Sequence, residues 1–326
     1  MKTYFARLET DPTITRFILK TLPDALRGNF VVINLGSGGD TDYGLPAELK
    51  RSMTLVEIDA AAGAATSGQY HKKISVNQVV ARLAGPRIFR RNIQVSSSSL
   101  LEPKQPLIDA YELGRYFQVV ERSTVDCTTL PRLLSENQLG GFDLLKTDLE
   151  GVDFDVIRSC EALLPRALCL QCEVRFQPFY EGEPFAHEVF AYLHDRGFEL
   201  IGLKTEHWKY KTPGRFWQNQ GRPAWADCLF TLRPEKILEL DAEIQPLALA
   251  KQIILVAMLG KKNYGEFLLG QNRARLPAEW LPALEGVLKA RCPSPKELFR
   301  LCRGLFLPLE MKLWHLLGRC QHASYR

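Results

Sequence analysis

Apolar runs of strand length alternate with segments of helical periodicity through most of the chain. Residues 30–35, 53–59 and 167–174 form three such runs, and residues 185–193 repeat apolar positions with the spacing of a helix. Strands that alternate with helices are typical of an open α/β sheet with parallel central strands. A helical lead-in is predicted before this region, over residues 1–28.

The segment between residues 70 and 100 predicts three short strands, over 73–76, 79–83 and 87–93. Gly85 and Pro86 are typical turn residues, so a hairpin is predicted between the last two of these strands. Four serines follow at residues 96–99, and in isolation such a run is typical of a flexible loop.

Charge divides the chain near Pro234. Residues 1–234 contain 28 Lys and Arg against 28 Asp and Glu, whereas residues 235–326 contain 14 against 9 and carry the whole net charge of +5. We therefore predict one domain over residues 1–234 and a basic helical subdomain over residues 235–326. The balanced charge of the larger domain, which has no recognised reader motif, argues against a nucleic-acid partner.

The basic subdomain has one structural interpretation, in which it only packs, and two functional ones. Its apolar positions recur with helical spacing, so it is predicted to pack on itself or on the sheet. Its surplus of Lys and Arg also suits peripheral contact with an anionic membrane, or recognition of an acidic acceptor. The oligomeric state is left open by the sequence.

A cytoplasmic location is predicted, because the first 22 residues lack the pattern of a signal peptide and no apolar run reaches the ~20 residues of a membrane span. The eight cysteines are scattered. Cys169 and Cys172 form a CxxC, but they lie on a predicted strand that would turn the two thiols to opposite faces. We expect free, mostly buried thiols and no structural metal.

A glycine-rich turn follows the first predicted strand. Gly36, Gly38 and Gly39 lack the side chains that would keep a ligand away from the backbone. Thr41 stands where a dinucleotide fingerprint needs its last glycine, so NAD or NADP fits poorly. The looser strand-and-GxG loop is typical of nucleoside-binding methyltransferases.

The second predicted strand ends in Asp59, 23 residues after Gly36. A carboxylate at that strand end is placed to accept hydrogen bonds from both ribose hydroxyls of an adenosine. Glu57 shares its face and is the second choice. Acidic strand ends are also common without a ligand, and the combination with the glycine turn is what favours nucleoside binding.

A third candidate site feature is the group of polar residues Lys146, Asp148 and Glu150, just before Gly151. Alternate side chains on a strand share a face, so these three are expected to point the same way. An apolar strand, an acidic end, a glycine and a helix in this order describe the carboxyl edge of an α/β sheet, where ligands bind. The alternative is an exposed loop whose acids only interact with solvent.

An aromatic and basic segment, residues 204–223, connects the last two predicted strands. Trp208 and Trp217 within it are candidates for binding a substrate, because such a segment is suited to stacking on sugars or holding anions. A loop that packs only on itself is the alternative.

Together these residues resemble the FkbM-type family of S-adenosylmethionine-dependent methyltransferases over about residues 28–232. The matching elements are Asn34-Leu-Gly-Ser-Gly, the Asp59 strand end, Ser97-Ser-Ser-Leu-Leu-Glu-Pro, Val125-Asp-Cys-Thr-Thr-Leu-Pro-Arg-Leu-Leu, Asp143-Leu-Leu-Lys-Thr-Asp-Leu-Glu-Gly-Val-Asp, Cys172-Glu-Val and Gly197-Phe-Glu-Leu. The Lys-x-Asp-x-Glu-Gly element is fairly specific to the family, whereas the glycine turn is generic. Two departures, Asn34 in place of the usual acid and Asp40 in place of a frequent glycine, predict somewhat weaker cofactor binding.

The resemblance implies a Rossmann-like, seven-stranded sheet with the last strand antiparallel, and S-adenosyl-L-methionine as cofactor. It implies that the cofactor is bound by Asn34, Gly36, Ser37, Gly38 and Asp59. It also implies transfer of the sulfonium methyl group to oxygen, on a hydroxyl of a sugar, a glycan or a secondary metabolite.

The same resemblance assigns roles to the polar residues of the later strands. Asp148 is the predicted base, or the group that orients the substrate hydroxyl. Glu150 is its partner, or the second ligand if a divalent cation helps to ionise the hydroxyl, a cation that no residue pattern supports. Lys146 is expected to pair with one of these acids, or merely to neutralise Asp148, and Glu173 is predicted to bind substrate hydroxyls.

Two alternatives to an O-methyltransferase are kept. One is methyl transfer to another small molecule or to nitrogen. The other, motivated by Asn34 and Asp40, is a non-catalytic binding or scaffold protein built on a degenerate methyltransferase fold.

Overall fold

Ten strands are present in the part of the chain that the structure describes, residues 26, 28–36, 50–59, 70–211 and 221–289 of a computed structural model. They are β1 (Phe30–Leu35), β2 (Met53–Ile58), β3 (Lys72–Val76), β4 (Val79–Val80), β5 (Gly85–Asn92), β6 (Val119–Thr128), β7 (Leu144–Thr147), β8 (Cys169–Arg175), β9 (Phe198–Trp208) and β10 (Arg222–Leu232).

Seven of these strands form the central sheet, in the order β3-β2-β1-β7-β8-β10-β9. The pairs β2–β3, β1–β2, β1–β7 and β7–β8 are parallel, and β10 runs antiparallel to both of its neighbours, β8 and β9. The prediction of a seven-stranded sheet whose last strand in the sequence is antiparallel is therefore confirmed. Parallel strands put their carboxyl ends at one edge, where the polar residues named above are expected.

The other three strands form a small sheet in the order β4-β6-β5. The predicted hairpin between β4 and β5 is wrong, because β4 pairs in parallel with β6 and β5 pairs antiparallel with the other side of β6. Gly85 and Pro86 lie inside β5, opposite Cys127 and Asp126. β6 is ten residues long and distant in sequence, so its pairing with both strands leaves no signal in the local turn pattern.

The described helices are α1 (Gln105–Ile108), α2 (Leu130–Glu136), α3 (Asp153–Ser159), α4 (Ala186–Asp195), α5 (Pro234–Ile237), α6 (Gln245–Met258), α7 (Lys262–Asn272) and α8 (Leu281–Lys289). Local chemistry sets several of their ends. Thr129 accepts a hydrogen bond from the backbone N–H of Arg132 at the start of α2, and Pro131 occupies the first turn, where no N–H is needed. None of the described helices has both the length and the apolar character to cross a membrane.

Helix α6 is attached to the sheet by a buried ion pair. Lys251 lies 3.0 Å from both carboxylate oxygens of Asp143 and donates to the carbonyl of Asn29, while Asp143 also accepts the backbone N–H of Val31. Burial raises the pKa of Asp143, and the Lys251 ammonium opposes that shift. Asp143 thus connects the entry of the central strand β7 to the first long helix after the sheet.

The helices that follow the sheet up to Lys289 belong to the same compact unit as the sheet. The division at residue 234 stays a prediction. Residues 290–326 lie outside the described residues, as do most of the lead-in at 1–28 and the positions of Ser37, Gly38, Asp40 and Trp217. Five cysteines of the described part are free and buried, namely Cys127, Cys160, Cys169, Cys172 and Cys228.

Candidate active site

The predicted glycine turn and the predicted ribose-binding acid lie side by side. Leu35 at the end of β1 pairs with Ile58 at the end of β2, and the N–H of Gly36 donates to the carbonyl of Ile58 at 3.2 Å. Asp59 follows directly and is only partly buried. Glu57, the second choice, is buried and lies 2.6 Å from the ammonium of Lys73, whereas Asp59 is partly exposed at the strand end.

Gly36 is also in close contact with the end of β7. Its φ is +75°, and a β-carbon on it would lie 1.9 Å from the carbonyl oxygen of Asp148. The N–H of Asp148 in turn donates to the carbonyl of Leu35 at 3.1 Å. A residue with a side chain would meet both a strained backbone and this carbonyl, so the turn requires glycine.

Asn34 has a side-chain oxygen that suits the donor groups of the cofactor. The residue is 2% exposed, and its Oδ1 has no hydrogen-bond partner among the described residues. It lies between Glu57 and Lys146 in the sheet, two residues before the glycine turn. An orphaned acceptor at this strand end fits the ammonium of S-adenosylmethionine, so the residues present are compatible with that cofactor.

Three carboxylates converge at the neighbouring strand ends. Asp148, Glu150 and Glu173 each place an oxygen within 4.8 Å of the others, and the ammonium of Lys146 lies 3.7 Å from Asp148. Strand β7 ends at Thr147, so Asp148 and Glu150 lie in the following turn, and not on one strand face as expected. The convergence comes from that turn, in which Glu150 adopts a left-handed φ of +52°.

Arg175, which no sequence argument selected, lies at the centre of these acids. Its side chain is 4% exposed, and its nitrogens lie 2.7 Å from Glu150, 2.5 Å from Glu173 and 2.9 Å from Glu183. The contact with Glu173 lacks the alignment of a hydrogen bond. Its position two residues after Glu173 on β8, and hence on the same face, was the available signal.

The unusual backbone of Glu150 is held by several contacts. Its carboxylate accepts a hydrogen bond from Arg175 and lies 3.1 Å from the hydroxyl of Tyr180, and its carbonyl accepts the hydroxyl of Ser99 at 2.6 Å. Ser97 and Ser99 are both buried, so this part of the serine run is packed and bonded, contrary to the flexible loop predicted. A left-handed non-glycine residue costs of order 1 kcal/mol or more, which these contacts offset.

Two of the three acids, Glu150 and Glu173, lie beside Arg175 and have raised pKa values. Burial raises the pKa of Glu150 to about 7 and raises that of Glu173 well above its ordinary value, although the guanidinium of Arg175 opposes both shifts. Asp148 does not contact Arg175, and its side chain is 27% exposed. Asp148 is therefore the acid of this group that does not contact Arg175 and is the most exposed, and a divalent cation bound here would compete with the guanidinium for Glu150 and Glu173.

The two tryptophans proposed to bind substrate are placed differently. Trp208 is 4% exposed, and its ring packs against Tyr111, Phe117, Phe179 and Trp225. That position gives Trp208 a packing role, and its contact with substrate stays a prediction. Trp217 lies outside the described residues.

Part of the chain matches a known protein family. Residues 34–200, about half of the chain, match the family model of the methyltransferase FkbM domain. No curated protein matches the chain. Among the matching solved structures, a SAM-dependent methyltransferase from Anabaena variabilis has 11% identity and a TM-score of 0.29, with 64% of this chain and 79% of that chain covered. An arsenic(III) S-adenosylmethionine methyltransferase from Chlamydomonas reinhardtii has 13% identity and a TM-score of 0.28, with 68% and 74% covered.

Proposed function

The chain belongs to the FkbM methyltransferase family and is an S-adenosylmethionine-dependent methyltransferase, and we propose that it methylates a hydroxyl oxygen of a sugar, a glycan or a secondary metabolite. The observation that carries the proposal is the position of Asp148. Its carbonyl packs against the Gly36 turn, and its carboxylate is the one in the acidic group that Arg175 leaves free.

Methyl transfer to a hydroxyl needs alignment and a proton acceptor. The bound cofactor supplies an electrophilic methyl group, and the acceptor oxygen must lie in line with the bond that breaks. An alcohol oxygen loses its proton as it is methylated, and a carboxylate within reach lowers the barrier by taking that proton. Asp148 accepts it in our proposal, and the ammonium of Lys146 lies 3.7 Å from the Asp148 carboxylate.

Glu150 and Glu173 take supporting roles in this scheme. Both contact the buried guanidinium of Arg175, which limits their freedom to accept a proton or to reach a substrate. Glu150 fixes the turn that carries Asp148, and Glu173 forms one wall of the acceptor site, where its second oxygen is the candidate for binding a substrate hydroxyl. A divalent cation at this group stays a prediction.

The alternative of methyl transfer to nitrogen has support from the same residues. A surplus of carboxylates beside the cofactor turn attracts protonated amines, and a base at Asp148 would have to deprotonate the amine before attack. Contact of the basic C-terminal region with an anionic membrane, and a cytoplasmic location, remain proposals from charge and composition.

An acceptor panel tests the proposal. The protein is incubated with methyl-labelled S-adenosylmethionine and a set of glycosides, amino sugars and phenolic metabolites, and the products are analysed by mass spectrometry and NMR. We expect the label on a hydroxyl oxygen, and a deoxy analogue that lacks this hydroxyl should not react. A label found only on nitrogen or carbon would overturn the proposal of O-methylation.

A further inference from the structure

Asp227 is a carboxylate on the site's face of the sheet that the roles assigned so far leave unused. It lies in the middle of β10, directly opposite Glu173 on β8 and Lys204 on β9. Residues opposite each other in an antiparallel pair point to the same face, so Asp227 shares the face of Glu173. Lys146 is in register with Gln171, two residues before Glu173, and belongs to that face as well.

The side chain of Asp227 makes no hydrogen bond or ion pair within the described part of the chain, and it is partly exposed. Its neighbours differ in this respect, because Glu173 contacts Arg175 at 2.5 Å and Glu206 contacts Lys204 at 3.3 Å. Burial and the charge of Asp148 raise the pKa of Asp227 to about 6, against the effect of Lys204 and Lys146. An accessible carboxylate that makes no hydrogen bond or ion pair with the described residues has its acceptor oxygens available for a ligand.

The described cations that act on Asp227 or contact the acidic group are already in contact with acids. Lys146 lies near Asp148, Lys204 near Glu206, and Arg175 contacts Glu150, Glu173 and Glu183. An anionic acceptor would therefore meet carboxylates without an available counter-charge in the described part of the site. Hydroxyl and ammonium groups, in contrast, are hydrogen-bond donors that suit these oxygens.

We propose that Asp227 binds the acceptor substrate by accepting a hydrogen bond from one of its hydroxyl or ammonium groups, and that the acceptor is consequently an uncharged or positively charged sugar-like polyol. The proposal rests on the proposed function only for the location of the acceptor site. It excludes uronic acids and sugar phosphates as preferred acceptors.

The proposed binding of the acceptor by Asp227 is tested by ligand-observed saturation-transfer NMR. The full-length protein is used, with its cofactor site filled by S-adenosylhomocysteine. The probes are methyl α-D-glucopyranoside, D-glucosamine and D-glucuronate, each added at millimolar concentration. We expect the first two to bind the wild-type protein and D-glucuronate to bind at least about ten-fold more weakly. D-glucuronate binding as well as D-glucosamine, or absence of binding by both favoured probes, would overturn the proposal.

Two variants test whether Asp227 is the residue that binds the probe. Asp227→Asn keeps the shape of the side chain and removes its charge, and it should weaken D-glucosamine binding about ten-fold. Glu279→Gln removes an exposed carboxylate that plays no part in the site and should leave probe binding unchanged. Equal binding by wild type and Asp227→Asn would contradict the assignment.

These experiments distinguish a failure of the proposed substrate binding from a failure of the proposed O-methylation. The wild-type probe series does not depend on how the variants fold, and S-adenosylhomocysteine binding checks that each variant is intact. Loss of the proposed O-methylation would appear in the product analysis of the acceptor panel, which the NMR series does not use.

Discussion

The carbonyl oxygen of Asp148 lies 1.9 Å from the point where a β-carbon on Gly36 would stand. The cofactor turn and the proposed base are therefore packed against each other through their backbones. This relationship explains why a glycine with a φ of +75° follows β1, and it makes the two halves of the site depend on one another.

Substitution of this glycine should disrupt cofactor binding. In Gly36→Ala, the new methyl group meets the Asp148 carbonyl and the backbone must leave its left-handed conformation, which costs of order 1 kcal/mol or more before any displacement. We expect affinity for S-adenosylmethionine to fall at least about ten-fold in a calorimetric titration. Gly140→Ala is the control, since a β-carbon there has nothing within 4 Å. Unchanged affinity in Gly36→Ala would be incompatible with the described packing.

The hydroxyl of Ser99 should matter to turnover although it is 51 residues from Glu150 in the sequence. Ser99→Ala removes the hydrogen bond to the Glu150 carbonyl and leaves a left-handed residue less well held, at a cost of about 1–2 kcal/mol. We expect kcat to fall about ten-fold with little change in cofactor affinity. Exposed Ser96 gives the matched control Ser96→Ala, whose kinetics should equal those of the wild type.

The pH dependence of stability should reflect Glu150. Its folded-state pKa of about 7 lies above the ordinary 4.5, so the folded state binds the proton more tightly than the unfolded state does. This contribution to stability is complete below about pH 4.5 and is lost as pH rises through 7. We expect the melting temperature to decline over that range, and less steeply in Glu150→Gln. Exposed Glu279 provides the control Glu279→Gln, and identical slopes for both variants would contradict the burial of Glu150 beside Arg175.

The buried pair between helix α6 and strand β7 should contribute to stability and not to catalysis. Lys251→Met leaves the Asp143 carboxylate without its cation, which should cost about 3–5 kcal/mol in chemical denaturation. The double variant Asp143→Asn with Lys251→Met should lose less than Lys251→Met alone, because no uncompensated charge remains. An additive loss in the double variant would show that the two residues do not interact.

Much of the site could be predicted because it depends on strand ends. Parallel strands deliver Gly36, Asp59 and Asp148 to one edge whatever lies between them in the sequence, and short motifs identify such ends. The contacts of Glu150, in contrast, could not be predicted from the sequence. Arg175 and Ser99 reach Glu150 only after the turn past β7 takes a left-handed conformation, and no local pattern encodes that.

Two further features show the same limit. Trp208 belongs to an aromatic cluster whose members come from four separate segments, and its sequence neighbours alone left open whether it lies in a binding loop or in packing. Strand β4 pairs with β6, which begins 39 residues after β4 ends, and the nearer strand β5 was the partner that local turn chemistry favoured.

The most direct test of the account is the pair of Asp148→Asn and Asp126→Asn, assayed for S-adenosylmethionine affinity and for kcat with the hydroxyl acceptor that the panel identifies. Asp126 is exposed on β6 and serves as the matched control. We predict that Asp148→Asn keeps its cofactor affinity while kcat falls by about 10²–10⁴, with Asp126→Asn unchanged. Undiminished turnover in Asp148→Asn would contradict the role of Asp148 as the proton acceptor.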